Sequence, residues 1–215
     1  MGLSIDIPCN PSNFEATNLN RFIDDRRVDI RDLAKLKKII DKEKPDFIFH
    51  LAAQAIVSVS YDDPVETITS NAIGTMNILE TLRFADWSCS VVIITSDKCY
   101  DNVEWVWGYK ETDVIGGKDI YSGSKGAAEL ITKSYLESFF LNCNHPVKVA
   151  IARAGNVLGG GDWAKDRIVV DCMKAWNDNQ LVEIRSPNST RPWQHVLEPL
   201  SGYLLLGSLL SESNE

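Results

Sequence analysis

The sequence Asp46-Phe47-Ile48-Phe49-His50-Leu51-Ala52-Ala53 is a short, almost unbroken apolar run. Runs of this kind are typical of a β-strand that is buried on both faces of a sheet. Two further runs, at residues 90–95 and 147–152, have the same character. Segments with helical spacing of apolar residues separate the three runs. This alternation predicts βαβ units, which build a parallel sheet with right-handed crossovers.

The helices between these strands are predicted from their caps and apolar stripes. Asp32 is suited to be an N-cap, and Lys44-Pro45 ends the helix that it opens. Asp62-Asp63-Pro64 has the composition of a cap and first turn. The helix that follows carries an apolar stripe formed by Val65, Ile68, Ala72, Met76, Leu79 and Leu82. A further helix is predicted from Tyr121 to about Leu141.

Polar segments and shorter apolar runs make up the rest of the chain. Before the helix at Tyr121 they predict a strand over residues 3–8, a loop over 9–27 and a long aromatic loop over 97–118. Beyond the third strand they predict a helix over 167–176, a strand over 181–184 and a final helix over about 197–210. The final helix has no evident partner within the chain.

Composition and charge exclude several classes of protein. The chain has 215 residues, of which 44% are apolar and 24% charged, as in globular proteins. The net charge of −8, without a basic stripe, argues against nucleic acid as a partner. The apolar runs are too short for a membrane span, and residues 1–6 lack the features of a signal peptide.

Cysteine and histidine usage points to a reduced, metal-free protein. Five cysteines without a CxxC motif predict free thiols in a cytoplasmic protein. The three histidines, His50, His145 and His195, are far apart and have no spacing suited to metal ligands, so we predict no metal site.

Tyr121 and Lys125 offer the clearest chemistry. Four residues are about one helical turn, so the phenol and the ammonium leave the same helix face. A nearby cation favours the phenolate and so can lower the tyrosine pKa. Such a phenol can take a proton from a sugar hydroxyl as a hydride leaves the same carbon. Taken alone, the pair is better explained by a tyrosine packed at a helix start beside a solvated lysine, because this spacing often occurs by chance.

The surroundings of this pair favour the chemical interpretation. Open parallel sheets bind ligands at the carboxyl ends of their strands. Three polar or glycine-containing stretches follow the three predicted strands, at residues 52–58, 95–101 and 153–163. We therefore expect a ligand crevice that brings these stretches to the start of the Tyr121 helix.

Several motifs, in this order, resemble the extended short-chain dehydrogenases/reductases of the nucleotide-sugar dehydratase kind. They are His50-Leu51-Ala52-Ala53, Asn71-Ala72-Ile73-Gly74-Thr75, Thr95-Ser96-Asp97-Lys98-Cys99-Tyr100, the Tyr121/Lys125 pair, Arg153-Ala154-Gly155-Asn156-Val157 and Thr190-Arg191-Pro192-Trp193. The subgroup that acts on CDP-glucose is the most similar. The resemblance implies an α/β, Rossmann-like doubly wound parallel sheet, NAD as cofactor, and a nucleotide-diphosphate sugar as substrate.

The resemblance also implies catalytic roles. Tyr121 would be the base for the C4 hydroxyl, with Lys125 as its electrostatic partner and Ser96 as a hydrogen-bond partner of the same oxygen. Asp97 would protonate the leaving C6 hydroxyl. Lys98 stands where dTDP-glucose relatives have a glutamate base, so it would either take the C5 proton or stabilise the enolate formed there. Water would be lost across C5–C6, with NAD recycled, to give CDP-4-dehydro-6-deoxyglucose.

Binding roles carry over by position. The implied NAD contacts are Asp29, Ile30, Leu51, Ala52, Ala53, Tyr121 and Lys125, and the implied substrate contacts are Asn156, Arg167 and Arg191. Two of the motif residues have simpler explanations. Asp29 could begin a turn, and Asn71 is expected to tie strands together structurally.

The sequence departs from the family in lacking a G-x-x-G-x-x-G or G-x-G-x-x-G turn. By the resemblance, the chain starts at the family's second strand and lacks the first strand and the end of the substrate lobe. We therefore expect a fragment, with a truncated NAD-binding domain at 1–153 and a partial substrate-binding lobe with a returning helix at 154–215. The full-length parent is expected to be a homodimer or a higher homo-oligomer.

Alternative functions remain at this point. A dTDP-glucose dehydratase or a nucleotide-sugar epimerase shares the fold-level motifs, and Asp97-Lys98 argues against both. A truncated chain could also be a non-catalytic sugar-nucleotide binding module. Ser122-Gly123-Ser124-Lys125 formally matches the SxxK of acyl-transfer enzymes, but the S-D-N and K-T-G motifs of that class are missing.

Overall fold

A computed structural model describes residues 1–141 and 144–213. The strands in this part of the chain are β1 (Gly2–Ser4), β2 (Asp25–Arg27), β3 (Phe47–His50), β4 (Cys89–Ile94), β5 (Val147–Ala152), β6 (Val157–Leu158) and β7 (Gln194–His195). The α-helices are α1 (Asn13–Ala16), α2 (Leu33–Glu43), α3 (Val57–Asp62), α4 (Pro64–Ile68), α5 (Gly74–Leu82), α6 (Ile120–Tyr135), α7 (Ile168–Asn177) and α8 (Leu197–Glu212). A π-helical turn joins α4 to α5, and another extends α6 through Phe140.

The centre of the molecule is a parallel sheet in the order β3-β4-β5. Side chains alternate across a strand, so Val91 and Ile93 of β4 face one side of the sheet and Val92 faces the other. The first side packs against apolar residues of α2 and α5, including Leu36 and Leu79, which are fully buried. The predicted parallel α/β sheet is confirmed.

The three strands and their helices lie where the sequence predicts them. The Asp32 carboxylate caps α2 by accepting from the Lys35 amide at 3.1 Å. The Asp63 carboxylate caps α4 in the same way by accepting from the Glu66 amide at 2.9 Å. Each cap satisfies an N–H that has no partner within the helix. The predicted ends of the longest helices agree with the structure to within a few residues.

The predicted loop over residues 9–27 is wrong in part, because it contains α1, a 3₁₀ turn and β2. The four residues of α1 are too few to give an apolar period, and Ser12 caps them by accepting from the Glu15 amide. β2 carries charged side chains, which form ion pairs such as Arg27 with Asp25 at 2.6 Å. A charged strand has none of the alternation from which strands are recognised.

The predicted strand over residues 181–184 is also wrong. That segment has no ladder partner among the described residues, and Leu181 is 97% exposed. The short strands of this region are instead β6 and β7, which pair in parallel. Two-residue strands leave no readable pattern in a sequence.

The final helix does have a partner, contrary to the sequence-based prediction. α8 packs against β4 and β5, on the sheet face opposite α2 and α5, so helices cover both faces. Gly207 allows this approach, since a Cβ there would lie 3.1 Å from the Phe49 ring. Other residues of α8, such as Leu204, remain exposed.

β3 is less buried than its apolar sequence predicts. Phe47 is 45% exposed, because β3 lies at the edge of the described three-stranded sheet. β1 and β2 pair with each other in parallel and form a separate ladder. The division of the chain at residue 153 stays a prediction.

Candidate active site

The start of α6 sets the position of the two predicted catalytic residues. The Asp119 carboxylate caps the helix and accepts from the backbone amide and hydroxyl of Ser122, at 2.9 and 2.8 Å. The cap places Tyr121 in the first turn and Lys125 in the second, and both side chains are buried. The Lys125 ammonium nitrogen lies 6.0 Å from the centre of the Tyr121 ring. The two residues share a helix face, as their spacing predicts.

The segment after β4 meets this pair. Ser96 interacts with the Tyr121 phenol. Its hydroxyl donates to the Asp97 carboxylate at 2.9 Å and accepts from the Lys98 amide at 3.2 Å. The Asp97 amide donates to the carbonyl of Ala154, just beyond β5, at 3.1 Å. The carboxyl ends of β4 and β5 and the start of α6 therefore converge.

The predicted lowering of the tyrosine pKa is wrong for this structure. Burial raises the pKa of Tyr121 above its usual value, and this effect exceeds the lowering by Ser96 and by the positive charge of Arg167. Burial also lowers the pKa of Lys125 to about 8. Desolvation penalises the charged form of each group, so burial favours the neutral phenol and the neutral amine, and the two pKa values move apart.

A buried cluster beside this site was not assigned a role from the sequence. The Glu129 carboxylate accepts from the Thr95 hydroxyl at 2.5 Å and from Nε of Arg153 at 2.7 Å. It also pairs with the Arg153 Nη2 atom. Glu129 follows Lys125 by four residues, so its place on the buried face of α6 was a signal that the sequence contained.

The residues after β3 form another wall near α6. Leu51 is 52% exposed, and the small side chains of Ala52 and Ala53 are half-buried. The next residue, Gln54, is held by Asn71, whose side-chain amide accepts from its N–H at 2.8 Å and donates to its carbonyl at 3.0 Å. This contact agrees with a structural role for Asn71.

Asp29 and Ile30, two of the predicted NAD contacts, lie apart from this cluster, beside α5. The Asp29 carboxylate pairs with the Arg31 guanidinium at 2.6 Å and accepts from the Arg31 amide at 2.9 Å, so it does begin a turn. The Arg31 guanidinium, as its principal partner, holds the pKa of Asp29 below its usual value. Ile30 is buried, and its carbonyl accepts from the Asn77 side chain at 2.9 Å.

The predicted substrate contacts lie around the end of β5. Arg167 is exposed at the start of α7, yet its charge reaches Tyr121. The Asn156 carbonyl accepts from the Gln194 amide at 3.0 Å, which joins β6 to β7. Arg191 is exposed, and its Nη1 donates to the Thr190 carbonyl at 2.7 Å. Its neighbour Pro192 packs on Gly155, where a Cβ would lie 2.5 Å from the proline ring.

Two further features bear on what the site can hold. Within residues 1–141 and 144–213, no group of three or more histidine, cysteine or acidic side chains is arranged to bind a metal ion. The described helices include none that is both long and apolar enough to cross a membrane.

A parallel α/β sheet with a tyrosine–lysine helix at its carboxyl edge is the arrangement of the extended short-chain dehydrogenases/reductases, and the comparison with protein families agrees. The family model described as GDP-mannose 4,6 dehydratase matches residues 10–203. The chain therefore belongs to this family of nucleotide-sugar dehydratases and epimerases.

Individual relatives agree with this assignment. CDP-glucose 4,6-dehydratase from Salmonella typhimurium is 50% identical over 212 residues, which cover 97% of this chain and 59% of that protein. The chain thus spans little more than half the length of this relative.

Solved structures have the same fold. One is a dTDP-glucose 4,6-dehydratase from Streptomyces venezuelae, with a TM-score of 0.80 and 21% identity over 95% of this chain and 61% of that one. Another is UDP-glucuronic acid 4-epimerase from Bacillus cereus, with a TM-score of 0.79 and 20% identity over 99% of this chain and 65% of that one. The predicted Rossmann-like fold is confirmed.

Proposed function

We propose that the protein to which this chain belongs is a nucleotide-sugar 4,6-dehydratase that converts CDP-glucose to CDP-4-dehydro-6-deoxyglucose and water. The observation that carries the proposal is the packing of α6, which bears Tyr121 and Lys125, against the turn that follows Ser96 and bears Asp97 and Lys98. Such packing would bring the base for the C4 hydroxyl close to an acid and an amine. The identity of 50% to the Salmonella CDP-glucose 4,6-dehydratase supports the choice of substrate.

The described residues fit part of an NAD molecule. Exposed Leu51 and the small side chains of Ala52 and Ala53 leave an apolar wall at the carboxyl end of β3, suited to a flat ring system. When bound, NAD would accept a hydride from C4 of the sugar and return it to C6. Tyr121 and Lys125 would contact the nicotinamide riboside. Ile30 would offer backbone contacts to the adenine, while the Asp29 carboxylate is shared with Arg31.

The residues proposed for the first proton transfer lie mainly on α6. Tyr121 would take the proton of the C4 hydroxyl as that carbon is oxidised to a ketone. Ser96 would hold the same sugar oxygen, and the charge of Lys125 would stabilise the phenolate. Because burial raises the pKa of Tyr121 in the structure described here, a bound cation or a charged Lys125 must offset that cost in the working site.

The residues proposed for the elimination of water lie on the turn after β4. The C4 ketone acidifies the C5 proton, and Asp97 would give its proton to the C6 hydroxyl, which leaves as water. A charged Lys98 would stabilise the enolate oxygen while a water molecule takes the C5 proton. Removal of the C5 proton by a neutral Lys98 is the alternative role.

The diphosphate would be held near the end of β5. Arg167 and Arg191 are exposed on this side, and guanidinium groups bind phosphates through paired, charge-assisted hydrogen bonds. Asn156, on the segment that follows β5, would contact the same part of the substrate. The net charge of −8 makes these local cations the natural anchors for an anionic ligand.

We also propose that the protein is a homodimer or a higher homo-oligomer that pairs through α4, α5 and α6. Apolar side chains are exposed on α4, on the turn between α4 and α5, and on α6, namely Val65, Ile68, Ile73 and Leu130. Burial of such residues drives association. A monomer in analytical ultracentrifugation of the complete protein would contradict this proposal.

Product analysis tests the reaction and the substrate together. The complete protein is incubated with NAD and CDP-glucose, dTDP-glucose or GDP-mannose, and the sugars are identified by mass and NMR. We expect CDP-glucose to give a product 18 mass units lighter than the substrate. Its kcat/KM should exceed those of dTDP-glucose and GDP-mannose by at least about 100-fold. An unchanged mass with inverted C4 would indicate an epimerase, and no product from any substrate would refute the proposal.

A further inference from the structure

The cluster around Glu129 joins the two elements that carry the catalytic groups. Its carboxylate lies on α6, and the exposed fraction of Glu129 is only 2%. It accepts from the hydroxyl of Thr95, which is the last residue before Ser96, at 2.5 Å. It also interacts with the thiol of Cys99, at the other end of the same turn. One carboxylate therefore contacts both ends of the Thr95–Cys99 segment.

Arg153 completes this cluster from the end of β5. Its guanidinium binds the Glu129 carboxylate through Nε, at 2.7 and 3.0 Å, and through Nη2. The carbon of the same guanidinium lies 4.5 Å from the centre of the Tyr100 ring. Bidentate pairing and stacking both fix the orientation of an arginine. Three elements, α6, the turn after β4 and the end of β5, are thus tied at one point.

We propose that Glu129 is a positioning residue, which holds the turn carrying Ser96, Asp97 and Lys98 in register with Tyr121 and Lys125 on α6. This inference rests on the proposed dehydratase function. Residues 121, 125 and 129 are spaced by one helical turn each, so the base, its cation and this anchor share one helix face. Glu129 itself touches neither the substrate nor the cofactor in this proposal.

Glu129 would contribute more to the geometry of the site than to the stability of the fold. A buried ion pair contributes little net stability compared with apolar residues of the same volume, but it does fix the relative position of its partners. In the proposed reaction, the base at the C4 hydroxyl and the groups that act at C5 and C6 must all contact the same sugar ring. A displacement of about 1 Å in such a site can cost about 100-fold in rate.

The variant E129Q in the complete protein tests the proposal, with E80Q as the matched control. Glu80 is also a helical carboxylate, bound by Arg83 and by the hydroxyl of Tyr135, away from the turn after β4. We expect kcat for CDP-glucose to fall about 30-fold in E129Q, with KM changed by less than about 3-fold, and both constants in E80Q to stay within about 2-fold.

A second readout separates positioning from general damage. If the turn slips relative to α6, dehydration slows more than oxidation at C4, and rapid quenching should recover C4-oxidised sugar that has not lost water. A uniformly weakened protein would slow both steps alike. Because E129Q could unfold, T95V provides a milder test. It removes one donor to Glu129 at nearly constant shape, and we expect the same accumulation with a kcat about 5-fold lower.

The outcomes distinguish the two proposals. If the unaltered protein dehydrates CDP-glucose and E129Q and T95V match E80Q in kcat and in the trapped sugars, Glu129 has no positioning role. Equal slowing of both chemical steps in T95V would also overturn it. If the unaltered protein dehydrates no nucleotide sugar, the dehydratase proposal itself fails and the positioning role fails with it.

Discussion

The side-chain amide of Asn71 donates to the hydroxyl of Ser124 at 2.8 Å and joins the π-helical turn after α4 to the catalytic helix α6. The same amide group also binds both backbone polar groups of Gln54, at the end of the wall that follows β3. Gln54 is half-buried, and Asn71 itself is only 2% exposed. Its side chain therefore serves as a structural bracket between three elements around the site.

Removal of this bracket should destabilise the protein strongly. Asn71→Ala leaves the backbone groups of Gln54 without their partner, and each unsatisfied buried group costs about 1–3 kcal/mol. We expect a loss of about 3 kcal/mol in the free energy of urea unfolding. Ser70→Ala, which removes a half-buried hydroxyl next along the chain, should cost no more than about 0.5 kcal/mol. Equal losses in the two variants would contradict the bracket.

The phenol of Tyr121 should be needed for chemistry but not for folding. Tyr121→Phe keeps the buried ring and removes the proton acceptor, so kcat of the complete protein should fall by about 10²–10⁴-fold. The melting temperature and the affinity for CDP-glucose should change little. Tyr135→Phe is the matched control on the same helix, since its hydroxyl binds Glu80 and is remote from Ser96. Loss of activity in Tyr135→Phe to the same extent would argue against a catalytic Tyr121.

Substitutions of Lys98 should distinguish enolate stabilisation from proton removal. Arginine keeps the positive charge but cannot act as a base, whereas methionine loses both properties. If the charge is what matters, Lys98→Arg should keep at least about a tenth of kcat and Lys98→Met should lose about 10²–10³-fold. Exchange of the C5 hydrogen with deuterated solvent gives the direct measurement. Abolished exchange in both variants would identify Lys98 as the base instead.

The sheet and its caps could be predicted because their causes are local. The apolar run at residues 90–95 lies in the buried central strand, and Asp32 and Asp63 lie next to the amides that they cap. The partner of α8 could not be predicted, since the contact of Gly207 with Phe49 joins residues far apart in the sequence. Residues 181–184 show the converse, because an apolar segment becomes a strand only where a neighbouring strand offers its backbone.

The residues of the candidate site could be predicted from the sequence, but the directions of their pKa shifts could not. Motifs and spacing brought Tyr121, Lys125 and Ser96 together correctly. Spacing alone, however, contains no information about burial, and burial is what raises the pKa of Tyr121 instead of lowering it. Glu129 was overlooked because its arginine partner comes from another strand end, which only the folded chain brings close.

The isolated 215-residue chain should bind NAD poorly. A dinucleotide's pyrophosphate is usually held by the amides of a glycine-rich turn at a helix start, and the sequence contains no such turn. Isothermal titration with NAD should give a dissociation constant weaker than about 100 μM. The Salmonella CDP-glucose 4,6-dehydratase, titrated in the same buffer, serves as the positive control. Micromolar binding by the 215-residue chain would refute this prediction.

His50 should make the folded protein sensitive to mild acid. Nε2 of His50 lies 3.0 Å from the Thr75 hydroxyl, which already donates to the Asn71 carbonyl at 2.7 Å, so the imidazole must be the donor. Burial, and then the charge of Lys125, lowers the pKa of His50 to about 4. The unfolded chain, with a pKa of about 6.5, binds a proton in the window between these values that the folded chain does not.

Stability therefore falls as the pH is lowered through this window. From pH 7 to pH 5 the contribution of His50 amounts to a loss of about 2 kcal/mol. His50→Gln keeps a donor for Thr75 without a titrating ring, so its free energy of urea unfolding should lose about 2 kcal/mol less over the same interval. His195→Gln is the control, because it makes the same substitution at an exposed side chain. Parallel pH profiles for His50→Gln and the unaltered protein would show that His50 is not the acid-sensitive group.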